Sequence, residues 1–303
     1  MSSFHADRLC EQRASTLHGQ GMFTTQKVSR GTLIFHEKSL ASFDDTTDDW
    51  PGVWQFYQSL PTAERLAWRS LYNPETAVSK DKMAKEAREY FFTKECGEVL
   101  ANCLNNCWKD CVTGASFLGI QTSRFNHSCR PNGIWVIIPA TGRFEVRATS
   151  VIESGQEVLL SYLPLSCMRS ARIRELRPFG FECHCSLCSE PDSEEEKNRA
   201  AMHNIDQQLW RMDPPGDLND RILLYAELLR LQTAEECMIW DVLLTATLLQ
   251  RLYLETEDLD GAASTGTIVQ RASDVCHGED FRMTNEWKNM VVNQLMLPKA
   301  KKS

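Results

Sequence analysis

Short runs of β-prone residues lie in two parts of the chain, and turn residues bound each run. The predicted strands cover residues 22–25, 31–36, 133–139, 143–149 and 157–162. Turns that contain Gly142 and Gly155 separate the last three of these strands. The pattern therefore predicts two groups of short strands that are far apart in sequence.

Helical periodicity fills the segment between these groups and the last third of the chain. Thr62, with a proline before it, is the predicted cap of one helix, and a longer helical pattern covers about residues 80–108. After a polar, acidic linker at residues 189–198, leucines repeat at helical spacing, which predicts paired antiparallel helices. Thr233 and Glu236 form a capping-box pattern at the predicted start of the longest of these helices.

The most apolar window, residues 238–254, is interrupted by Asp241, Gln250 and Arg251. A buried core helix is therefore expected there, and a membrane span is not.

Composition narrows the class of protein. The chain has 303 residues, of which 42% are hydrophobic and 24% charged, as is typical of a globular protein. Its formal charge of −8 argues against direct nucleic-acid binding, which needs a basic face. The N-terminus lacks the apolar run of a signal peptide, so the 12 cysteines are expected in a reducing compartment, nuclear or cytoplasmic.

Three closely spaced cysteines, Cys183, Cys185 and Cys188, give the pattern C-x-C-x-x-C. Three thiolates are one ligand short of a tetrahedral zinc shell. His184 is a possible fourth ligand, but in an extended segment its side chain points away from its neighbours. Cys129 is the better candidate, and a site filled by four protein ligands is structural rather than catalytic.

Four other cysteines, Cys96, Cys103, Cys107 and Cys111, are spaced by seven, four and four residues. This spacing predicts that they line one face of a helix, over too great a length for a single metal ion. Small, buried, apolar side chains are the simpler interpretation.

Several motifs together resemble those of SET-domain lysine methyltransferases, in particular the SET-and-MYND subfamily and the shorter fungal SET proteins. The matching segments are HGQGMF at residues 18–23, GTLI at 31–34, NHSCRPN at 126–132, GQEVLLSY at 155–162 and FECHCSLC at 181–188. No pair of zinc-finger motifs interrupts residues 40–110, so the MYND module itself is absent.

The resemblance implies S-adenosylmethionine as the methyl donor, a lysine ε-amine as the acceptor and a structural zinc ion. Tyr162 would be the catalytic residue, Phe179 would line the substrate channel, and Cys129 would complete the zinc site. Side-chain or backbone groups of further residues would contact the cofactor: His18, Gln20, Gly21, Met22, Asn106, Ser123, Asn126, His127, Tyr162 and Phe181. Phe179 stands where relatives often carry a second tyrosine, which suggests tolerance of more than one methyl group on the amine.

The resemblance also implies an α+β fold with a small-sheet, β-clip SET core. The expected parts are a SET domain at residues 17–165, split by a helical insert at about 45–111, a zinc-binding post-SET segment at 166–190 and an all-helical domain at 195–300. The expected partner is a lysine-containing protein, and histones are among the candidates. Two alternatives stay open: a non-catalytic scaffold that binds a partner protein, and a methyltransferase that acts on a small molecule or metabolite peptide.

Overall fold

The computed structural model describes residues 9–43, 50–73, 94–110, 114–138, 141–212 and 217–278. Within them, nine strands form three antiparallel sheets with the orders β1-β2-β9, β3-β8-β7 and β4-β6-β5. The strands are β1 (Cys10–Ala14), β2 (Gln20–Thr24), β3 (Leu33–Lys38), β4 (Ala41–Phe43), β5 (Cys107–Lys109), β6 (Ser116–Leu118), β7 (Gly133–Ile138), β8 (Arg143–Ala148) and β9 (Glu157–Val158).

The helices in the described residues are α1 (Trp50–Ser59), α2 (Thr62–Arg69), α3 (Lys94–Asn106), α4 (Arg169–Leu176), α5 (Ser186–Ser189), α6 (Glu194–Arg211), α7 (Leu218–Thr233), α8 (Ile239–Glu255) and α9 (Leu259–His277). Short 3₁₀ turns lie at Thr122–Arg124, Arg177–Phe179 and Glu236–Met238. The predicted α+β class is confirmed. The predicted domain boundaries stay predictions, and residues 279–300 lie outside the described part of the chain.

The central sheet follows the predicted strands closely. β7 and β8 pair in register from Gly133 opposite Ala148 to Ile138 opposite Arg143. β3 begins two residues later than predicted, because Gly31, at φ +81°, still belongs to the preceding turn. Alternate residues of these strands form a core with the fully buried Ile152 and Leu160.

The predicted strand at residues 157–162 is wrong beyond its second residue, since β9 ends at Val158. Side-chain atoms of Asn132 take the place of a neighbouring strand there: its Oδ1 accepts from the Leu159 N–H at 2.8 Å. Its Nδ2 donates to the Glu157 carbonyl at 2.9 Å. Leu160 then forms one parallel bridge with His127, which places the end of this segment beside the NHSC motif.

The helical insert packs around Trp68, which is fully buried and donates its indole N–H to the Val99 carbonyl at 3.1 Å. Two predictions here are wrong. Thr62 is the first helical residue of α2 rather than its cap, and no side chain caps this helix. The longer helix ends at Asn106, because the next three residues pair with β6. Residues 80–93 lie outside the described part.

The predicted cysteine face is also only partly correct. Cys96 and Cys103 are buried in α3, as expected for apolar residues. Cys107 belongs to β5 instead of the helix, and its Sγ lies 3.5 Å from the Sγ of Cys103. Cys111 lies outside the described residues.

The C-terminal helices α6 to α9 share one hydrophobic core, centred on the fully buried Leu243 and Leu252 of α8. The predicted capping box is wrong. Thr233 is the last residue of α7, and its hydroxyl donates to the Leu229 carbonyl at 2.9 Å. Glu236 opens a 3₁₀ turn before α8. The longest of these helices is α9, with 19 residues.

Among the described residues, one stretch, Glu236–Glu255, is long and apolar enough to cross a membrane by length and composition alone. Of its apolar window, 61% is buried inside the protein. Its leucines pack against neighbouring helices, as the side chains of a core helix do.

Two buried ion pairs attach α6 to its surroundings. Arg172 of α4, 1% exposed, pairs with Glu196. Arg199, which is fully buried, pairs with Glu235 at 2.7 Å and also donates to the Leu165 carbonyl. These pairs connect the segment after the sheets with the C-terminal helices.

Replacing Glu196 by alanine would leave the Arg172 guanidinium buried without its ion-pair partner. We expect the free energy of unfolding, measured by urea denaturation, to fall by about 3 to 5 kcal/mol. The matched control is Glu194→Ala, which removes an exposed pair with Lys197. Its expected effect is below about 1 kcal/mol, and equal losses in both variants would contradict the prediction.

Candidate functional site

One large cavity, of about 2430 Å³, runs between the sheets, the helical insert and the C-terminal helices. Most of the residues expected to form the site line it, although they are far apart in sequence. The lining includes His18, Gln20, Asn106, Ser123, Asn126, His127, Tyr162, Phe179, Phe181, Cys183 and Cys185.

Gly21 and Met22 are not part of the lining. Met22 pairs with Val158 in the first sheet, and its side chain is buried in the sheet core at 2% exposure. Gly21 packs against the Glu157 side chain so closely that an added Cβ would lie 1.9 Å from its Oε1. Both residues therefore shape the loop before them and do not reach the cavity.

The side-chain amide of Asn126 holds that loop in place. Its Nδ2 donates to the carbonyls of His18 and Gln20, each at 3.0 Å, and to Glu157 Oε1 at 2.7 Å. Ser15 donates its hydroxyl to the other oxygen of Glu157 at 2.8 Å. The side-chain nitrogen of Asn126 thus makes its hydrogen bonds to other groups of the protein.

Both ring nitrogens of His127 are used inside the protein. Its Nδ1 accepts from the Tyr162 N–H at 3.0 Å, and its Nε2 lies 3.3 Å from Cys129 Sγ. Burial lowers the pKa of His127 to about 4, so the neutral ring carries its proton on Nε2 and donates to the sulfur. The ring therefore has no free nitrogen for a hydrogen bond to a cofactor, and its contact with a cofactor stays a prediction.

The backbone polar groups of His127 differ from its ring nitrogens in how they are hydrogen-bonded. In its bridge with Leu160, the neighbouring residues make the hydrogen bonds, through the Asn126 carbonyl and the Ser128 N–H. The N–H and C=O of His127 face the other side, and neither has a partner among the described residues. They form an adjacent donor and acceptor at the cavity wall.

Asn106 and Ser123 join the helical insert to the sheets. Asn106 Nδ2 donates to the carbonyls of Tyr72 and Asn102, each at 2.8 Å. The Ser123 hydroxyl donates to the Gly119 carbonyl at 2.6 Å and lies 3.2 Å from the Asn106 carbonyl. The amide nitrogen of Asn106 and the hydroxyl of Ser123 thus hold this part of the cavity wall in place.

Tyr162 sits where the cavity is most aromatic. Its hydroxyl donates to the Phe125 carbonyl at 2.7 Å, which leaves the oxygen lone pairs as acceptors. Burial, with a smaller effect of Glu157, raises the pKa of Tyr162 above its usual value. The hydroxyl therefore stays protonated at neutral pH.

Aromatic rings surround Tyr162. The ring centroids of His127, Phe179 and Trp108 lie 5.1, 5.2 and 5.7 Å from its own. Trp135 packs on Trp108 at 4.9 Å. Sequence reasoning missed Trp108 and Trp135, although Trp108 follows Asn106 by only two residues.

A second aromatic group lies at the other end of this region. His18 contacts Tyr72 at 4.7 Å and Phe181 at 5.8 Å between ring centroids. Tyr72 comes from the helical insert, and no pattern in the sequence pointed to it. This group offers flat apolar surfaces beside the His127 backbone, since Phe181 also lies 6.0 Å from the His127 ring.

The sulfurs of Cys129, Cys183, Cys185 and Cys188 all lie within 4.8 Å of one another, so the four thiols could hold a metal ion. Cys129 Sγ is 3.6 Å from that of Cys188 and 3.9 Å from that of Cys183. Ligand sulfurs at about 2.3 Å from a tetrahedral zinc ion are about 3.8 Å apart, so the donor set fits zinc. His184 is exposed and lies outside this group.

Because the four thiols share hydrogen bonds, the pKa of Cys185 and of Cys188 is lowered and that of Cys129 and of Cys183 is raised. Hydrogen bonds from Cys129 and Cys183 lower the pKa of Cys188 to about 6. Arg172 Nη2 lies 3.9 Å from Cys188 Sγ, so the buried cation is next to the sulfur. Neighbouring groups that orient and stabilise ligands in this way are typical of metal sites.

Residues 19–163 match the family model described as the SET domain. Over 172 residues, 56% of this chain and 47% of the relative, the sequence is 30% identical to the histone-lysine N-methyltransferase set5 of Schizosaccharomyces pombe. Over 96 residues, 31% of this chain and 17% of the relative, it is 31% identical to a SET and MYND domain-containing protein of Dictyostelium discoideum. Over 93 residues, 30% of this chain and 19% of the relative, it is 40% identical to the N-lysine methyltransferase SMYD2 of Gallus gallus.

The matched part thus spans about half of the length of the first of these relatives and less of the other two. The SET-domain match at residues 19–163 begins one residue after His18 and includes the NHSC motif and Tyr162. Residues 19–163 of the chain thus match the SET domain, and the chain is similar in sequence to proteins named as lysine methyltransferases.

Proposed function

We propose that this protein transfers a methyl group from S-adenosylmethionine to the ε-amine of a lysine in a protein substrate. The observation that carries the proposal is the position of Tyr162. Its oriented hydroxyl stands in an aromatic enclosure, and it shares one cavity with the polar backbone of His127. The SET-domain match and the names of the relatives support the same reaction.

The residues of one cavity end fit the methyl donor. The N–H and C=O of His127 complement the acceptor and donor on the edge of an adenine base. Phe181 offers a face for the base, and the loop at His18, held by Asn126, closes the same end. When bound, S-adenosylmethionine supplies an electrophilic methyl group on a cationic sulfur.

The aromatic residues around Tyr162 suit the acceptor. A lysine of pKa about 10.4 must lose its proton to act as a nucleophile, which costs about 4.6 kcal/mol at pH 7 in water. An apolar channel lined by Trp108, Tyr162 and Phe179 lowers that cost by desolvating the ammonium form. The Tyr162 oxygen then accepts from the amine and aligns it for transfer.

The four cysteines would hold a structural zinc ion. Because Phe181 lies two residues before Cys183 and Asn126 three residues before Cys129, the ion would hold both walls of the cofactor end together. The Nε2–H of His127 on Cys129 would connect the same ion to the backbone of Tyr162. The zinc ion would stabilise the site without taking part in the transfer.

Lysine-containing proteins are the proposed substrate class. Several relatives are named histone-lysine methyltransferases, so core histones are the first substrates to test, and the nucleus or cytoplasm is the proposed location. The zinc-loaded chain is incubated with radiolabelled S-adenosylmethionine and core histones, and products are identified by mass spectrometry. Methyl-lysine formed by the wild type and lost in Tyr162→Phe supports the proposal. No transfer to histones or to a lysine peptide library would contradict it.

Phe179 is proposed to set the number of methyl groups. Its ring lies beside Tyr162 and carries no hydroxyl that would hold the amine or a water next to it. We expect the wild type to form dimethyl-lysine and Phe179→Tyr to shift the product toward monomethyl-lysine. Mass spectrometry of one peptide at full conversion measures the ratio, and only monomethyl product from both proteins would refute this role.

A further inference from the structure

The cavity does not end at Tyr162 but continues between the C-terminal helices. Its inner part is lined by Asp206 of α6, Tyr225 and Gln232 of α7, and Trp240 and Asp241 of α8. None of these residues belongs to the SET-domain match at residues 19–163. The extension therefore offers a surface that the transfer reaction itself does not use.

Two side chains in this extension are candidates to bind a ligand, Gln232 and Asp241. Gln232 is only 4% exposed, and its Oε1 has no hydrogen-bond partner among the described residues. A buried amide oxygen without a partner is costly, which points to a ligand that satisfies it. Asp241 is half-buried and forms no ion pair with any described residue.

Two of the cations near this extension are already paired with carboxylates. Arg199 is paired with Glu235, and Arg130 is paired with Glu195 at 2.8 Å. Arg221 makes a hydrogen bond with Tyr225. Burial raises the pKa of Asp241 to about 6, so it is mostly charged at pH 7, and a bound cation would offset its desolvation.

A bound metal ion does not account for the acidic and amide side chains Asp206, Gln232 and Asp241. Among the described residues, the four cysteines form the one cluster of three or more side chains close enough to ligate a metal. Asp206 and Asp241 thus have no third histidine, cysteine or carboxylate of the described part of the chain within ligating distance, so the group lacks the ligand set of a typical metal site. They suit a longer organic cation with several donors, such as a guanidinium.

The extension lies within reach of a peptide bound at Tyr162. Residues 161–166 line the cavity without a break, and the Leu165 carbonyl contacts Arg199. Arg199 Nη2 lies 3.8 Å from Cys237 Sγ, one helical turn before Asp241. The path from Tyr162 through Leu165, Arg199 and Cys237 to Asp241 is therefore on the order of 20 Å long. About six extended residues of a bound peptide span that distance.

We propose that Asp241 and Gln232, with Asp206 beside them, form a subsite for a basic side chain of the substrate, arginine in particular. This side chain lies up to about six residues from the target lysine. The proposal rests on the proposed function, since it assumes that a lysine peptide occupies the cavity. It deepens that function by naming a sequence preference that the helices impose.

The test uses fluorescein-labelled peptides of 15 residues with one central lysine in a neutral background. A single arginine is moved through the positions on both sides of the lysine, and citrulline replaces it in a parallel series. Anisotropy measures binding to the zinc-loaded full chain. At one position we expect the arginine peptide to bind at least about tenfold more tightly than its citrulline counterpart.

Three variants sharpen the test. Asp241→Asn is expected to abolish the arginine preference, and Gln232→Glu to increase it. Asp220→Asn, the same charge change on an exposed residue of α7 outside the cavity, is expected to retain it. Thermal melting checks that each variant is folded.

No arginine preference at any position, or a preference that persists in Asp241→Asn, would overturn the subsite. Methyl transfer to the same peptides is measured separately with radiolabelled S-adenosylmethionine. An arginine preference lost in Asp241→Asn but accompanied by no methyl transfer would support the subsite and contradict the proposed function. The two failures are therefore distinguishable.

Discussion

Tyr162→Phe is expected to lower the rate of methyl transfer by about 100-fold or more, while S-adenosylmethionine still binds. The substitution removes one hydroxyl, which is fixed by the Phe125 carbonyl and faces the enclosure of Trp108, His127 and Phe179. A positioned polar group of this kind typically contributes a factor of 10² to 10³ to the rate. The ring remains, so the shape of the channel is retained.

Single-turnover kinetics measures this effect, and calorimetry measures cofactor affinity in the same protein. Tyr57→Phe is the matched control, because it removes a hydroxyl bound to Glu95 at 3.2 Å in the helical insert, outside the cavity. Its transfer rate should equal that of the wild type. A wild-type rate in Tyr162→Phe would remove this tyrosine from the mechanism.

Cys129→Ser is expected to remove the bound zinc and, with it, the cofactor site. Its sulfur lies 3.6 to 3.9 Å from two of the other three thiols and accepts from His127. Zinc binding contributes about 10 to 16 kcal/mol to the folding of small zinc modules, so three cysteines cannot replace four. The walls that carry Phe181 and Asn126 would separate.

Zinc content by mass spectrometry should fall from about one ion per chain to near zero, and S-adenosylmethionine binding should be lost. Cys167→Ser is the control: Cys167 is half-buried, lies outside the cluster, and its backbone carbonyl, which the substitution retains, accepts a hydrogen bond from Arg172. Full zinc content in Cys129→Ser would show that this cysteine is not a ligand.

The sequence predicted those parts of the fold that depend on local pattern. The period-two strands β7 and β8 and the leucine-rich helix α8 lie where they were expected. The four cysteines meet as their spacing and number suggested. Local pattern suffices in these cases because burial of one face decides the structure.

The elements that were predicted wrongly depend on tertiary contacts. β9 is short because Asn132 side-chain atoms occupy the backbone groups that a longer strand would pair. Thr233 ends a helix instead of starting one, next to Glu235, which the buried Arg199 holds in place. Three-residue strands such as β5 have no period from which a pattern can be read.

The same limit applies to the site. The NHSC motif indicated a polar site, but not that the His127 ring faces inward, between Tyr162 and Cys129, while its backbone faces the cavity. Tyr72, Trp108 and Trp135 come from three separate elements, and only the fold brings them to one cavity. Side-chain direction at irregular backbone cannot be read from spacing.

Calorimetric titration of the zinc-loaded chain with S-adenosylmethionine measures the proposed cofactor site itself. It requires no knowledge of the substrate, and Asn126→Ala and the exposed Asn219→Ala serve as the test and control variants. We expect micromolar binding by the wild type and Asn219→Ala, and none by Asn126→Ala, in which the loop at His18 is released. A folded, zinc-loaded wild type that does not bind S-adenosylmethionine would contradict the proposed function.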